Sequence, residues 1–392
     1  MTYPVISLFS GAMGLDLGLE KAGLDIKIGQ DFDPWCAKTA TSNSKPFVLG
    51  DIRQLLIEDP SCKFLLEPAG LIPGEAFAVV GGPPCQPFST AGKRLGTQDP
   101  RGSLFMEFVK VIKVVRPRFF IMENVKGLLS AAIKHVPLDE RNGKPVDPEE
   151  LPGSVFHFIR ETFQELGYKL VHGILDASHY GVPQFRERLF IIGSRDYEDI
   201  FLPVPTHFQF HQDLGYRWLT LRDAIEDLEG NPGPYTTFSA ERLKYLRLVP
   251  MGGNWRNLPP DIVESAMGGA YNSGGGKVGF YRRLDYEQPS PTLVTSPVQK
   301  ATMLCHPIQD RPLSIREYAR IQQFPDDWII EGSISDCYRQ IGNAVPLGLG
   351  KAVGQMLLAV ANGTAKINTR RFRGTSIHDN LARIQNIMLE AN

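Results

Sequence analysis

VISLFSGAMG, residues 5–14, runs an apolar stretch into a glycine-bearing turn. Residues 5–9 read as a buried strand. The segment that follows places Leu15, Leu19 and Ala22 on one helical face. The same alternation recurs along the chain. Strands are expected at 26–29, Phe47–Leu49, 77–80 and 119–122, with a helix over 104–115. A helix at 155–166 and strands at 168–174 and 188–193 continue the pattern. Strands alternating with helices predict a parallel sheet covered on both faces.

The chain has 392 residues, enough for two domains or one large domain with an insertion. Hydrophobic residues make up 42% and charged ones 22%, the balance of a globular protein. Net charge is −1, so binding to a polyanion must rest on local patches rather than on a global basic field. The five cysteines are scattered with no C-x-x-C pair, which supports neither a zinc site nor a disulfide framework. The N-terminus lacks a signal-peptide pattern, and no run of eighteen apolar residues is present. A reducing, cytoplasmic setting without a membrane span is expected. Past residue 196 the chain becomes rich in Pro, Gly, Arg, Asn and aromatics, as in GGNWRNLPP and GGAYNSGGGKVGFYRR. Residues 197–333 are therefore read as a smaller, irregular domain, and 1–196 with 334–392 as the larger one. Helices are expected at 314–324 and 345–361, and a surface excursion at 131–153.

The first turn allows a ligand to approach the backbone at a helix N-terminus. Asp31 lies twenty residues past Gly11, where a strand-end carboxylate can bind ribose hydroxyls, and Asp51 lies at the same sheet edge. G-A-M-G is not the G-x-G-x-x-G of dinucleotide sites, which favours S-adenosylmethionine over NAD. Taken alone, the loop is equally a tight packing turn.

A second stretch, GGPPCQPFS at 81–89, follows the apolar run at 76–80 and presents Cys85 after two prolines. Further along stand Glu123-Asn124-Val125, YGVPQFRERLFIIG (180–193), RPLSIREYARIQQFPDDW (311–328) and QIGNAVP (340–346). Together with FSGAMG (9–14), these six ordered segments resemble the motifs of the DNA cytosine-5 methyltransferases, and they span nearly the whole chain. The resemblance implies a Rossmann-like α/β methyltransferase sheet, with 197–333 as target-recognition domain. It also implies S-adenosylmethionine as cofactor and double-stranded DNA as substrate.

Chemistry agrees with these residue types. Carbon 5 of cytosine is a weak nucleophile, and a thiolate adding at carbon 6 activates it. By resemblance, Cys85 is that nucleophile and Arg186 the neighbour that favours its thiolate. Glu123 is the acid at ring nitrogen 3, and Arg188 holds the ring's O2 carbonyl. The base that removes the carbon 5 proton is not legible. Carried over in the same way, Phe9, Gly11, Gly14, Asp31, Phe32, Asp51, Ile52, Pro84, Leu104 and Asn343 form the cofactor site. Where the family often has two adjacent glycines, this chain has Met13-Gly14, so Met13 must accept the backbone conformation required there.

A base inside a duplex must be flipped out before such chemistry. Ser89, Lys93, Arg94 and Arg101 belong to a polar, basic segment resembling the family's mobile catalytic loop. Arg256, Arg282 and Thr292 are the DNA-contact candidates of the recognition segment, with Arg283, Trp255, Tyr271 and Tyr281 nearby. The basic patch at 366–373 is read as solvated. The expectation is a site-specific bacterial enzyme, either orphan or working beside a separate restriction endonuclease, and monomeric. Three rival readings are an RNA methyltransferase of this fold, whose Cys-Phe-Thr signature is absent; a catalytically inactive regulatory relative; and an NAD oxidoreductase. Target sequence and modified cytosine are not encoded legibly.

Overall fold

The computed structural model describes residues 2–84, 103–134, 148–210, 215–272 and 278–365. Cys85, Ser89, Lys93, Arg94, Arg101 and the 366–373 patch lie outside the described residues.

Seven strands form the central sheet: β1 (Pro4–Leu8), β2 (Asp25–Asp31), β3 (Phe47–Leu49), β4 (Ala78–Gly81), β5 (Phe119–Val125), β6 (Lys169–Asp176) and β7 (Glu187–Ser194), in spatial order 3-2-1-4-5-7-6. The first five are parallel, as the alternation predicts. The all-parallel expectation fails at β7, which runs antiparallel to both β5 and β6. Only residues 177–186 join β6 to β7, too few for the helical crossover that a parallel partner needs.

Strand residues alternate between two apolar layers. Ile6, Leu8, Val79, Phe120 and Met122 face one layer, with α3 (Ile52–Glu58), α4 (Lys63–Ala69), α5 (Ser103–Val115) and α6 (Ser154–Glu165). Val5, Ala78, Val80, Phe119 and Ile121 face the other, with α1 (Gly14–Ala22) and the C-terminal helix (Leu347–Ala361). α2 (Pro34–Ser42) follows β2. The C-terminal helix lies so close to α1 that a Cβ on Gly18 would stand 2.3 Å from the Leu347 carbonyl oxygen. This close approach carries the segment before that helix to the mouth of the β1–α1 turn.

Residues 197–333 contribute short elements: β8 (His207–Phe208), β9 (Tyr216–Arg217), α7 (Leu221–Ile225), α8 (Ala240–Leu246), α9 (Val263–Met267) and α10 (Ile315–Ile321). Phe238, Tyr245, Leu246, Met303 and Cys305 make an apolar cluster of their own. Arg283, buried, ties this cluster together by donating to the carbonyls of Leu246, Val249, His306 and Gln309 and to Asp310. A further cluster joins Leu284, Leu313 and Tyr318 to Ala12, Leu17 and Leu347 of the sheet-bearing part. The stretch Ile334–Ala361 has the length and hydropathy of a membrane span. It is two helices, α11 (Ile334–Asn343) and α12 (Leu347–Ala361), whose buried residues pack into the clusters above.

Candidate active site

At the carboxyl ends of β1, β2, β4 and β5 lies a cavity of about 580 Å³. Open α/β sheets bind ligands at this edge. Nine of the residues singled out from sequence line it: Phe9, Gly11, Asp31, Phe32, Pro84, Glu123, Arg186, Arg188 and Asn343.

The β1–α1 turn supplies one wall. Phe9, Gly11 and Met13 all take left-handed φ values, 55°, 54° and 65°. Met13 adopts the conformation a glycine would take freely, and its side chain is buried in the layer beneath. Gly11 N donates to Asp31 Oδ2 at 3.0 Å, and Asp33 N to Asp31 Oδ1 at 3.0 Å. Burial pushes the Asp31 pKa up, while these backbone amides hold it back. Each Asp31 oxygen keeps a lone pair for a further donor such as a ribose hydroxyl. Phe32 is 66% exposed on this wall, so it is a platform rather than a core residue. A Cβ on Gly11 would meet none of the described residues within 4 Å. A platform, a strand-end carboxylate with free lone pairs and open space over the turn fit an adenosine-bearing cofactor.

Four expected cofactor residues lie elsewhere. Gly14 does not line the cavity: a Cβ there would stand 2.3 Å from the Val345 carbonyl oxygen, so this glycine packs α1 against the chain entering α12. Asp51 caps α3, accepting from Arg53 N at 2.9 Å, and pairs with the Arg53 side chain. Ile52 is core, and Leu104 packs against the same apolar layer.

The opposite wall is the end of β4 and β5. Glu123 Oε1 and Arg188 Nε stand 2.9 Å apart, both side chains largely enclosed. Register explains the meeting: β5 and β7 are antiparallel neighbours, with Glu123 opposite Phe190 and Val125 opposite Arg188. Burial raises the Glu123 pKa, opposed by the charges of Arg188 and Arg186. Asn124 Nδ2 donates to the Pro83 carbonyl at 3.0 Å, fastening the proline segment to the end of β5. Pro84 is on the cavity wall, one residue before the undescribed Cys85.

Arg186 is 1% exposed. It donates to the Leu293 carbonyl at 3.1 Å and the Gly342 carbonyl at 2.9 Å, and its Nε has no hydrogen-bond partner among the described residues. Burial, then repulsion from Arg188, lowers its pKa, with Glu123 opposing. Thr292 donates to the Phe185 carbonyl at 2.7 Å, and Leu293 N to Gln184 Oε1 at 3.0 Å. The Thr-Leu pair thus clasps the segment that carries both arginines.

In the 197–333 region, Arg256 lies over the Trp255 ring at 5.5 Å, and Arg282 Nε donates to the Met303 carbonyl at 3.0 Å. Neither lines the cavity. Residues that sequence reasoning missed do line it: Asp16, Asp33, Arg339 and Gln340. Arg339 pairs with Asp33, the N-cap of α2, across 306 residues of sequence. No local pattern announces that pair.

Residues 3–359 match the C-5 cytosine-specific DNA methylase family. The chain is 37% identical to the type II methyltransferase M.PspPI of Psychrobacter over 373 residues, covering 93% of this chain and 81% of that protein. It is also 37% identical to the type II methyltransferase M.Eco47II of Escherichia coli, over 94% and 81% of the two chains. Among solved structures, S. pombe Dnmt2 methyltransferase superposes with a TM-score of 0.56 at 18% identity, over 92% of this chain and 99% of that one, a likeness of fold. The chain belongs to the C-5 cytosine-specific DNA methylase family and is a DNA cytosine-5 methyltransferase.

Proposed function

We propose that this enzyme methylates carbon 5 of a cytosine flipped from double-stranded DNA into the cavity between Pro84, Glu123 and Arg188. The observation that carries this reading is the joining of two sites in one cavity: the Glu123–Arg188 pair and the Asp31–Phe32 wall. Cys85 is the nucleophile. It follows Pro84, a residue of the cavity wall, directly in sequence. Addition of the thiolate to carbon 6 pushes charge onto the ring, and Glu123 donates a proton to nitrogen 3. The raised Glu123 pKa favours the protonated form this step needs. Arg188 donates to the ring's O2, and Arg186 fixes the surrounding segments. S-adenosylmethionine, when bound, supplies the methyl group to carbon 5. Phe32 would stack on its adenine, Asp31 would accept from its ribose hydroxyls, and Phe9, Gly11 and Asn343 would shape the rest of its seat. Loss of the carbon 5 proton then expels the Cys85 thiolate.

Residues 197–333 are proposed as the target-recognition domain. Arg256, Arg282 and Thr292, together with the basic segment of Ser89, Lys93, Arg94 and Arg101, are assigned to DNA. The type II naming of the relatives supports a role beside a separate restriction endonuclease. The deciding experiment is transfer of labelled methyl from S-adenosylmethionine to duplex DNA, with transfer RNA and Cys85→Ser protein as controls. Label at cytosine carbon 5, lost in the variant, is expected. Label on RNA alone, or label retained by Cys85→Ser, would overturn the assignment.

A further inference from the structure

Asp16 sits in the first turn of α1 and is 1% exposed, yet it lines the cavity. Among the described residues, neither of its carboxylate oxygens has a hydrogen-bond partner. Other enclosed carboxylates are answered: Asp31 by two backbone amides, Glu317 by Arg311 and Asp33 by Arg339. An ionised carboxylate buried without a partner is costly, so such a group stays protonated or meets a cation.

Among the described residues no cation pairs with it. The charged neighbours are Glu20, on the same helix, and Lys45, just before β3. Lys45 is held by Glu20 at 2.7 Å. The Ser7 hydroxyl on β1 and the backbone amide of Asp16 itself favour ionisation, yet neither stands in hydrogen-bonding geometry to a carboxylate oxygen. Burial outweighs these and pushes the Asp16 pKa up to about 7.

Sheet order places this carboxylate between the two halves of the site. The Asp31–Phe32 wall is at β2 and the Pro84–Glu123 wall at β4 and β5, with β1 between them. A cofactor reaching from one wall to the other must cross the β1–α1 turn, beside which Asp16 lies. S-adenosylmethionine carries its amino-acid group on the same sulfur that joins adenosine to the transferred methyl. We infer that Asp16 is a cofactor-binding residue that receives the α-ammonium group of S-adenosylmethionine. The inference rests on the cofactor reading above. As the ammonium enters, the carboxylic acid gives its proton to solvent and the carboxylate pairs with the cation; no other bond changes.

The test is calorimetric binding of S-adenosylmethionine, S-adenosylhomocysteine and 5′-methylthioadenosine, the last lacking the amino-acid group. Asp16→Asn should weaken the first two roughly tenfold or more, the loss of a charge-assisted hydrogen bond, and leave the third unchanged. Wild-type protein should release a proton on binding S-adenosylmethionine just below neutral pH and none well above it. Buffers of different ionisation heat read this release directly, without any variant. Equal weakening of all three ligands would overturn the inference, since Asp16 would then act through the shape of the turn. Unchanged affinity without proton release would overturn it too, and leave the cofactor reading standing. If wild-type protein binds none of the three, both fail together.

Discussion

The Glu123 carboxylate occupies the space beside Gly82 that any other residue would fill: a Cβ there would stand 2.9 Å from Glu123 Oε2. The second glycine of GGPP is therefore what lets the end of β4 and the acid of β5 share one wall. The atom in conflict is the tip of a side chain, which can swing away, so Gly82→Ala should move Glu123 rather than unfold the chain. Misplacing a reacting group by about 1 Å costs on the order of 100-fold in rate. Gly82→Ala is expected to lose that much methyl transfer while its melting temperature and cofactor affinity stay near those of the wild type. A variant with full activity would remove Glu123 from the reaction.

Glu123 itself gives a pH signature. Burial raises its pKa, and the proposed step needs the protonated form, so activity should decline as pH rises through that raised value. Glu123→Gln has no proton to lose. Its single-turnover rate should be lower by about 10²–10⁴-fold, and this declining limb should be absent from its profile. The same limb in both proteins would assign it to another group.

Much of this arrangement was legible from sequence because it follows from local pattern. Phe47–Leu49 is the strand expected, and the other strands differ from expectation by a few residues at their ends. Hydrophobic periodicity carries no direction, so the reversed β7 was invisible; only the shortness of the 177–186 connection could have signalled it. Asp16 was missed for a related reason. In GLDLGLE it occupies what looks like the polar face of an amphipathic helix. Its burial arises in a fold where α12, more than 300 residues later, packs over α1. The resemblance places Gly14 at the cofactor loop, and the close approach that its missing Cβ permits is to Val345. Asp51 was assigned from its place at the sheet edge, and a carboxylate starting a helix also serves as a cap.

Met13 balances two costs at one position. Its left-handed backbone, φ 65°, is disfavoured for a residue with a Cβ by about 1–2 kcal/mol. Its side chain is 1% exposed, and removing a buried methionine side chain costs about 2–5 kcal/mol. The second is the larger, so Met13→Gly should lower stability by roughly 1–3 kcal/mol in denaturant titration. Cofactor affinity should change little, because the backbone already has the glycine-like conformation. A gain in stability would show that strain outweighs packing here.

Arg186 joins three parts of the chain that are far apart in sequence. Its guanidinium binds the Leu293 carbonyl in the 197–333 region and the Gly342 carbonyl in α11, while its backbone leads into β7. Arg186→Met keeps most of the volume but leaves both buried carbonyls without this donor. Each unsatisfied group costs about 1–3 kcal/mol, so a loss of roughly 2–6 kcal/mol is expected in denaturant titration. Arg186→Lys retains a charge but cannot span two carbonyls with a planar fork, and should recover only part of that stability. Because the clasp connects the 197–333 region to the cavity wall at Asn343, where the cofactor is proposed to sit, the lysine variant should also bind S-adenosylmethionine more weakly. If Arg186→Lys matched the wild type in both measurements, the two-carbonyl bridge would not be what holds these segments together.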